Sequence, residues 1–395
     1  MSSSPERTIL GVAVGHAAHD TWFGVAPILL ATLSVPMGIA NSEIGFILML
    51  YETLSALGQP FFGRLSERIG GRPLAVASIL WTTSLFSLAL FVESKLLLTV
   101  CLFAAGLGSA AWHPQGAANA TNAGGKRLGA TAASIFFLGG TLGSAFLGQA
   151  LGGYLLSAYG RRSLLILALI AVVLALTLVR RWVPRWLLAG VRAPTPIQEA
   201  NGTATFLFWV LLGFLLLSTA LRSLAFHSIN AYIPKYQQDL GVSSASYGAL
   251  MSLFFTASAI GGVAGSFLAD KVGIRSILIF SMGLAAIFFF LFMHTIGFWH
   301  YSSLALAGLF MGPSHTLLIV VGQRRFASRM AVVSGVFMGF TFISGAAGTW
   351  VLGLLADRVG LGTILNFLPW AMVGAVASAW VGVPGPSAKG AKSAG

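Results

Sequence analysis

His16, His19 and Asp20 fall at i, i+3 and i+4 in an otherwise apolar run, so an α-helix puts all three on one face. A carboxylate beside two imidazoles can take up and release a proton near neutral pH, because histidine ordinarily titrates at about 6.5. Two further histidines recur at a fixed offset: His113 and His315 each follow a glycine (Gly106, Gly308) by seven residues and lie 202 positions apart (315 − 113). The same offset carries Asp20 onto Arg222 (20 + 202), so an acid and a base hold equivalent positions in two copies of one unit. An ionisable group inside an apolar span costs about 2.5–3.5 kcal/mol on insertion scales and by default marks a polar pathway.

Around these stand Gln115 and Asn119 after His113, His227 and Asn230 after Arg222, and Glu52, with Gln59 seven residues further on. Pro114 frees a backbone carbonyl that Gln115 or water could satisfy. The expected substrate and proton cavity is His16, His19, Asp20, Glu52, His113, Gln115, Asn119, Arg222, His227, Asn230 and His315. The plain alternative for each is a packed side chain hydrogen-bonded between helices.

The elements that must position these groups are membrane spans. The chain is 56% hydrophobic and 8% charged, with mean hydropathy +0.87, where soluble proteins carry about 25% charged residues. Twelve apolar stretches, from 8–34 to 363–383, are of the length that crosses about 30 Å of hydrocarbon. The net charge of +13 is topological. Numbered from a cytoplasmic N-terminus, 17 of the 23 Lys and Arg fall on the inner side, five on the outer (Lys95, Arg161, Arg162, Lys235, Arg358), and Arg222 inside a span. That bias places both termini in the cytoplasm and removes nucleic acid as a partner. The single cysteine, Cys101, rules out an internal disulfide, and the polar groups of the first span are unlike a cleaved signal peptide.

Four segments repeat a small residue followed seven positions later by glycine: Gly63 to Gly70, Gly153 to Gly160, Ser266 to Gly273 and Gly353 to Gly360. Each follows the second span of a three-span unit. The division expected is a six-helix half over 1–182, a cytoplasmic linker over 183–203 with Pro184, Pro194 and Pro196, a second half over 204–383 and a disordered tail over 384–395. Gly140, Ser144, Gly148 and Gly152 make a small-residue stripe for close helix packing.

In this inverted 3+3 organisation, and in its loop signature, the chain resembles the major facilitator superfamily over nearly its whole length. GRLSERIGGR at 63–72 is similar to that signature, with Glu67 where aspartate is usual and Gly71 where a basic residue is usual; SFLADKVGIR at 266–275 keeps Asp270. The resemblance implies a cytoplasmic gate built from Gly63, Glu67, Arg68, Gly70, Arg72, Asp270, Gly273 and Arg275. GQALGG at 148–153 is similar to the GPxxGG antiporter signature, with Gln149 replacing proline. GHAAHD at 15–20, Pro27 and GSAAWHPQGAA at 108–118 resemble the fosmidomycin-resistance branch, which implies proton-driven export of a small compound. The arginine that classical drug/proton antiporters carry four residues before Gly106 is Leu102 here.

The fold expected is therefore all-α, with twelve transmembrane helices in two pseudo-symmetric halves, in a bacterial inner membrane and as a monomer. The sequence shows no phosphate-binding loop, metal set or cofactor motif, so no enzymatic activity is expected and an ion gradient must drive transport. Protons are the expected ion and sodium the alternative. The function expected is proton-coupled export of a small amphiphilic or anionic compound by alternating access. The alternatives are proton-coupled import of an organic anion anchored by Arg222, and a non-transporting receptor, which would need an extramembrane domain.

Overall fold

The computed structural model describes residues 4–186, 206–325 and 330–385. Most of the expected linker and tail lies outside them. Among the described residues there is no strand, and twelve long helices follow in order: α1 (Pro5–Met37), α2 (Asn41–Ile69), α3 (Gly71–Ala89), α4 (Lys95–Gly125), α5 (Arg127–Tyr159), α6 (Arg161–Trp182), α7 (Phe206–Asp239), α8 (Ser244–Val272), α9 (Ile274–His294), α10 (Gly297–Arg325), α11 (Met330–Val359) and α12 (Leu361–Gly382). Ten of these are long and apolar enough to cross a membrane; α2 and α3 fall short of that measure. The charges of α2 (Glu43, Glu52, Arg64, Glu67, Arg68) and the hydroxyls of α3 (Ser78, Thr82, Thr83) dilute their hydropathy.

The helix ends follow from local chemistry. Ser4 caps α1, its hydroxyl accepting from the Arg7 amide, Pro5 supplies a preset φ at the first turn, and Gly38 closes the helix at φ 62°. Gly125, at φ 61° and ψ −159°, breaks one continuous run into α4 and α5. The four repeat glycines, Gly70, Gly160, Gly273 and Gly360, all have φ between 77° and 97°. The repeat thus marks four copies of one backbone turn that a side chain would strain.

The described chain forms two compact units. The first contains the described residues of Met1–Pro194 with Asn230–Ser252 and Trp350–Leu361. Within it α1 is deeply enclosed: Trp22 is fully buried and its indole N–H donates to Thr83 of α3 at 3.0 Å. The small-residue stripe of α5 lies against α1. A Cβ on Gly148 would stand 2.4 Å from the Thr21 carbonyl oxygen, and one on Gly24 would stand 2.2 Å from that of Ser144. Residues 143–151 of α5 form a π-helical segment, a local rewinding common at functional sites. The second unit contains the described residues of Thr195–Ile229, Leu253–Thr349 and Gly362–Gly395, around a core that includes Leu215, Leu278, Met282, Leu318 and Ala375.

Candidate functional site

The first unit gathers three histidines around one carboxylate. Asp20 Oδ2 lies 3.1 Å from His16 Nε2, and Asp20 Oδ1 lies 2.9 Å from His19 Nδ1 and 3.9 Å from His113 Nε2. His16 and His19 are buried, while the side chains of Asp20 and His113 remain 19% and 28% exposed, so the cluster has an open side. Gly140 of α5 makes the room: a Cβ there would stand 2.6 Å from His16 Nε2 and 2.8 Å from Asp20 Oδ2. The rings of His16 and His113 meet edge to face at 5.1 Å, and His16 stacks on Phe136 at 4.0 Å.

One donor atom each from His16, Asp20 and His113 falls within 4.8 Å of the others, close enough to share one cation. A shared proton fits the 3.1 Å gap between His16 and Asp20. A tetrahedral metal ion at about 2.0–2.1 Å from each atom would part them to roughly 3.4 Å.

The other expected cavity residues divide into four groups. Gln115 and Asn119, both 0% exposed, are bonded to each other (Asn119 Nδ2 to Gln115 Oε1, 3.2 Å) inside the first unit. Glu52 is buried in α2 beside Tyr51. Asn230 accepts from Gln149 of α5 at 3.4 Å. In the second unit, buried Arg222 donates from Nε to Ser314 Oγ at 2.9 Å and lies over the Phe226 ring at 4.7 Å. Around it are Met282, Ala285, Met311, Met372 and Ala375. His315 follows Ser314 and lies within electrostatic range of Arg222 and His227, and His227 packs on Phe226 and Phe342. The 202-residue echo is thus spatial: Asp20 meets His113 in one unit and Arg222 neighbours His315 in the other.

The expected gate residues are at helix ends. Glu67, Arg68 and Asp270 are exposed and enter no ion pair among the described residues. Arg72 donates from Nε to the Val183 carbonyl at 2.6 Å, and Arg275 lies over the Trp380 ring at 4.5 Å. Gly63 accepts from Ser66 through its carbonyl, and Gly70 and Gly273 make the turns described above. In the fourth repeat copy, for which the sequence carries no gate expectation, Asp357 caps the start of α2. Its two oxygens accept from the amides of Asn41 (2.9 Å) and Ser42 (3.1 Å), and Tyr232 donates to the Asn41 carbonyl at 3.2 Å. Thr82 and Gly140 complete the histidine cluster without a sequence signal for that role. Gly140 reads as packing, and nothing in the pattern of α3 distinguishes Thr82.

Comparison with known proteins places this architecture. Residues 14–349 match the Major Facilitator Superfamily. The chain is 26% identical over 383 residues to the fosmidomycin resistance protein of Escherichia coli K12, covering 93% of this chain and 92% of that one. It is 27% identical over 364 residues to the MFS-type transporter YfnC of Bacillus subtilis 168, covering 90% and 88%. Among solved structures, a point variant of the nucleoside transporter NupG superposes with a TM-score of 0.72 at 14% identity, covering 94% of this chain and 98% of that one. A bacterial homolog of the human lysosomal transporter Spinster superposes at 0.67 and 16% identity, covering 96% and 94%. The chain belongs to the major facilitator superfamily of multi-pass membrane transporters.

Proposed function

We propose that this transporter exports a small amphiphilic or anionic compound in exchange for protons, by alternating access between its two sequence halves in a bacterial inner membrane. Both termini are cytoplasmic in this reading, the protein acts as a monomer without a cofactor, and it carries out no enzymatic reaction. The observation that carries the reading is the position of Asp20: one carboxylate, within a span, reachable from one side and surrounded by three histidines. A proton arriving there changes the charge of an enclosed cluster, which is the event that must alternate with substrate occupancy. The name of the Escherichia coli relative, a fosmidomycin resistance protein, supports export and an anionic compound.

Import of an organic anion is the second reading, with Arg222 as its anchor. This buried guanidinium has a hydroxyl and an aromatic face as its described partners and so retains capacity to bind an anion. In both readings Arg222 anchors the anion and Asp20 couples the proton. Purified protein in vesicles, with a pH gradient imposed in either direction and fosmidomycin as the probe anion, separates them. Efflux against the proton gradient supports export, uptake along with protons supports import, and flux indifferent to the gradient rejects both.

A further inference from the structure

Trp112, Gln115, Asn119 and Asn122 follow one another on α4 at spacings of three, four and three, which puts them on one face of the helix. That face turns into the first unit: Trp112, Gln115 and Asn119 are each 0% exposed, and Asn122 at the next turn is half-buried. Each of the three buried residues keeps a polar atom without a hydrogen-bond partner among the described residues, namely Trp112 Nε1, Gln115 Nε2 and Asn119 Oδ1. The bond from Asn119 Nδ2 to Gln115 Oε1 uses the other end of each amide. Two donors and one acceptor thus remain along about two turns of one helix. Their wall is apolar, with Ala75 and Ile79 of α3, Phe136 of α5, and Ala171 and Ala175 of α6 packed in one cluster with Trp112.

Buried polar atoms are paired as a rule, and those left over are commonly met by enclosed water. The mixture here selects water over an ion. A cation is repelled by the two N–H groups and an anion by the amide oxygen, whereas water accepts from the first and donates to the second. Trp22 gives the contrast within the same unit: its indole is equally buried and donates to Thr83 at 3.0 Å, so it needs no water.

One end of the stripe lies against the histidine cluster. The indole of Trp112 is near-parallel to the His19 ring at 6.2 Å and stands 6.3 Å from that of His16. His19 donates from Nδ1 to Asp20 at 2.9 Å and has its Nε2 at 3.3 Å from Thr82 Oγ1, while His16 donates from Nδ1 to the Phe136 carbonyl at 2.8 Å. Gly15 of α1 abuts the six-membered ring of Trp112, and a Cβ on Gly116 would stand 3.5 Å from its Cε2, so the N–H edge turns along α4 toward Gln115. The other end is Asn122, close to where α4 stops at Gly125, on the side that the charge-based topology makes cytoplasmic.

We propose that Trp112, Gln115 and Asn119 hold a file of enclosed water inside the first unit, and that this water conducts the proton between the Asp20 cluster and the cytoplasm. The second clause rests on the proton-coupled reading above. The indole and the amides do not titrate near neutral pH; they orient the waters, and each hop passes one proton to the next oxygen while another leaves it, so no charge is left behind.

X-ray radiolytic labelling of the purified full-length protein in nanodiscs, read residue by residue by mass spectrometry, tests the water, because the radical forms from water in place and oxidises the side chain beside it. Trp22 is the dry reference. Trp112 should be oxidised severalfold faster than Trp22, and Gln115→Met and Asn119→Leu, which remove the polar ends at similar size, should bring it down to the Trp22 rate. Equal rates for Trp112 and Trp22 in the wild type overturn the proposal, whether or not the variants fold. In vesicles with an imposed pH gradient and fosmidomycin as the probe anion, the folded variants should lose most of the gradient-driven flux; a variant with a dry Trp112 and full driven flux takes the water off the proton's route. The labelling needs no gradient, so a wet Trp112 in a wild-type protein without pH-driven flux would defeat the coupling reading and leave the water file standing.

Discussion

Asp357 and Asn41, 316 residues apart in sequence, are joined by a 2.9 Å hydrogen bond from the Asn41 amide to the Asp357 carboxylate, which makes the fourth copy of the loop repeat the cap of α2. The same region holds a Tyr247 to Thr32 contact of 2.8 Å and a Ser244 to Gly153 bond of 3.0 Å. On the charge-based topology this is the outer side, which the alternating access proposed above requires to open and close.

Removing that cap should therefore favour opening there. Asp357→Ala loses a charged N-cap worth about 1 kcal/mol, or roughly a fivefold shift in conformer ratio. Accessibility of a cysteine introduced at Thr32, in a Cys101→Ala background, measures the shift; accessibility equal to that of the parent would show that Asp357 is ornamental to closure.

The gate expected at the opposite ends of the helices gives a parallel test. Glu67→Ala and Asp270→Ala should change conformer populations about severalfold while sparing ligand binding, because each carboxylate lies where a helix end must close. Unchanged probe accessibility in both variants removes them from the gate.

Packing of α5 on α1 leaves no room for a side chain at position 148. Gly148→Leu forces a Cβ to 2.4 Å from the Thr21 carbonyl oxygen and should cost about 1–3 kcal/mol or more. A lowered melting temperature in detergent is the expected result, and wild-type stability with full activity would mean that the helices separate freely.

Much of this was legible in the chain and some was not. The helical spacing of His16, His19 and Asp20 and the 202-residue echo to Arg222 survive as geometry, because periodicity within a helix and duplication are properties of sequence. The four repeat glycines were legible because their turn requires positive φ. Gln115 and Asn119 were expected to line a cavity and are instead fully buried against each other, since the face a polar residue presents depends on neighbouring helices. Thr82, the Phe136 carbonyl and the Asp357 cap were not legible, because each acts through a partner on another helix that no local pattern encodes.

Arg222 is the proposed anchor for an anion. Arg222→Ala should weaken binding of an anionic probe by roughly ten- to a hundredfold, the worth of a charge-assisted hydrogen bond, while Arg222→Lys retains part of it. Titration calorimetry of both variants reads this directly, and equal affinity in Arg222→Ala would move the anion site elsewhere.

In the reading proposed here Asp20 couples proton movement to transport. Proton-driven flux and substrate exchange, measured side by side in vesicles containing Asp20→Asn protein, test it most directly. The amide side chain of this variant keeps the carboxylate's size, replaces one acceptor oxygen by a donor and cannot take up the proton. Loss of gradient-driven transport with substrate exchange retained is the expected result; full pH-gradient-driven transport by Asp20→Asn would remove Asp20 from coupling.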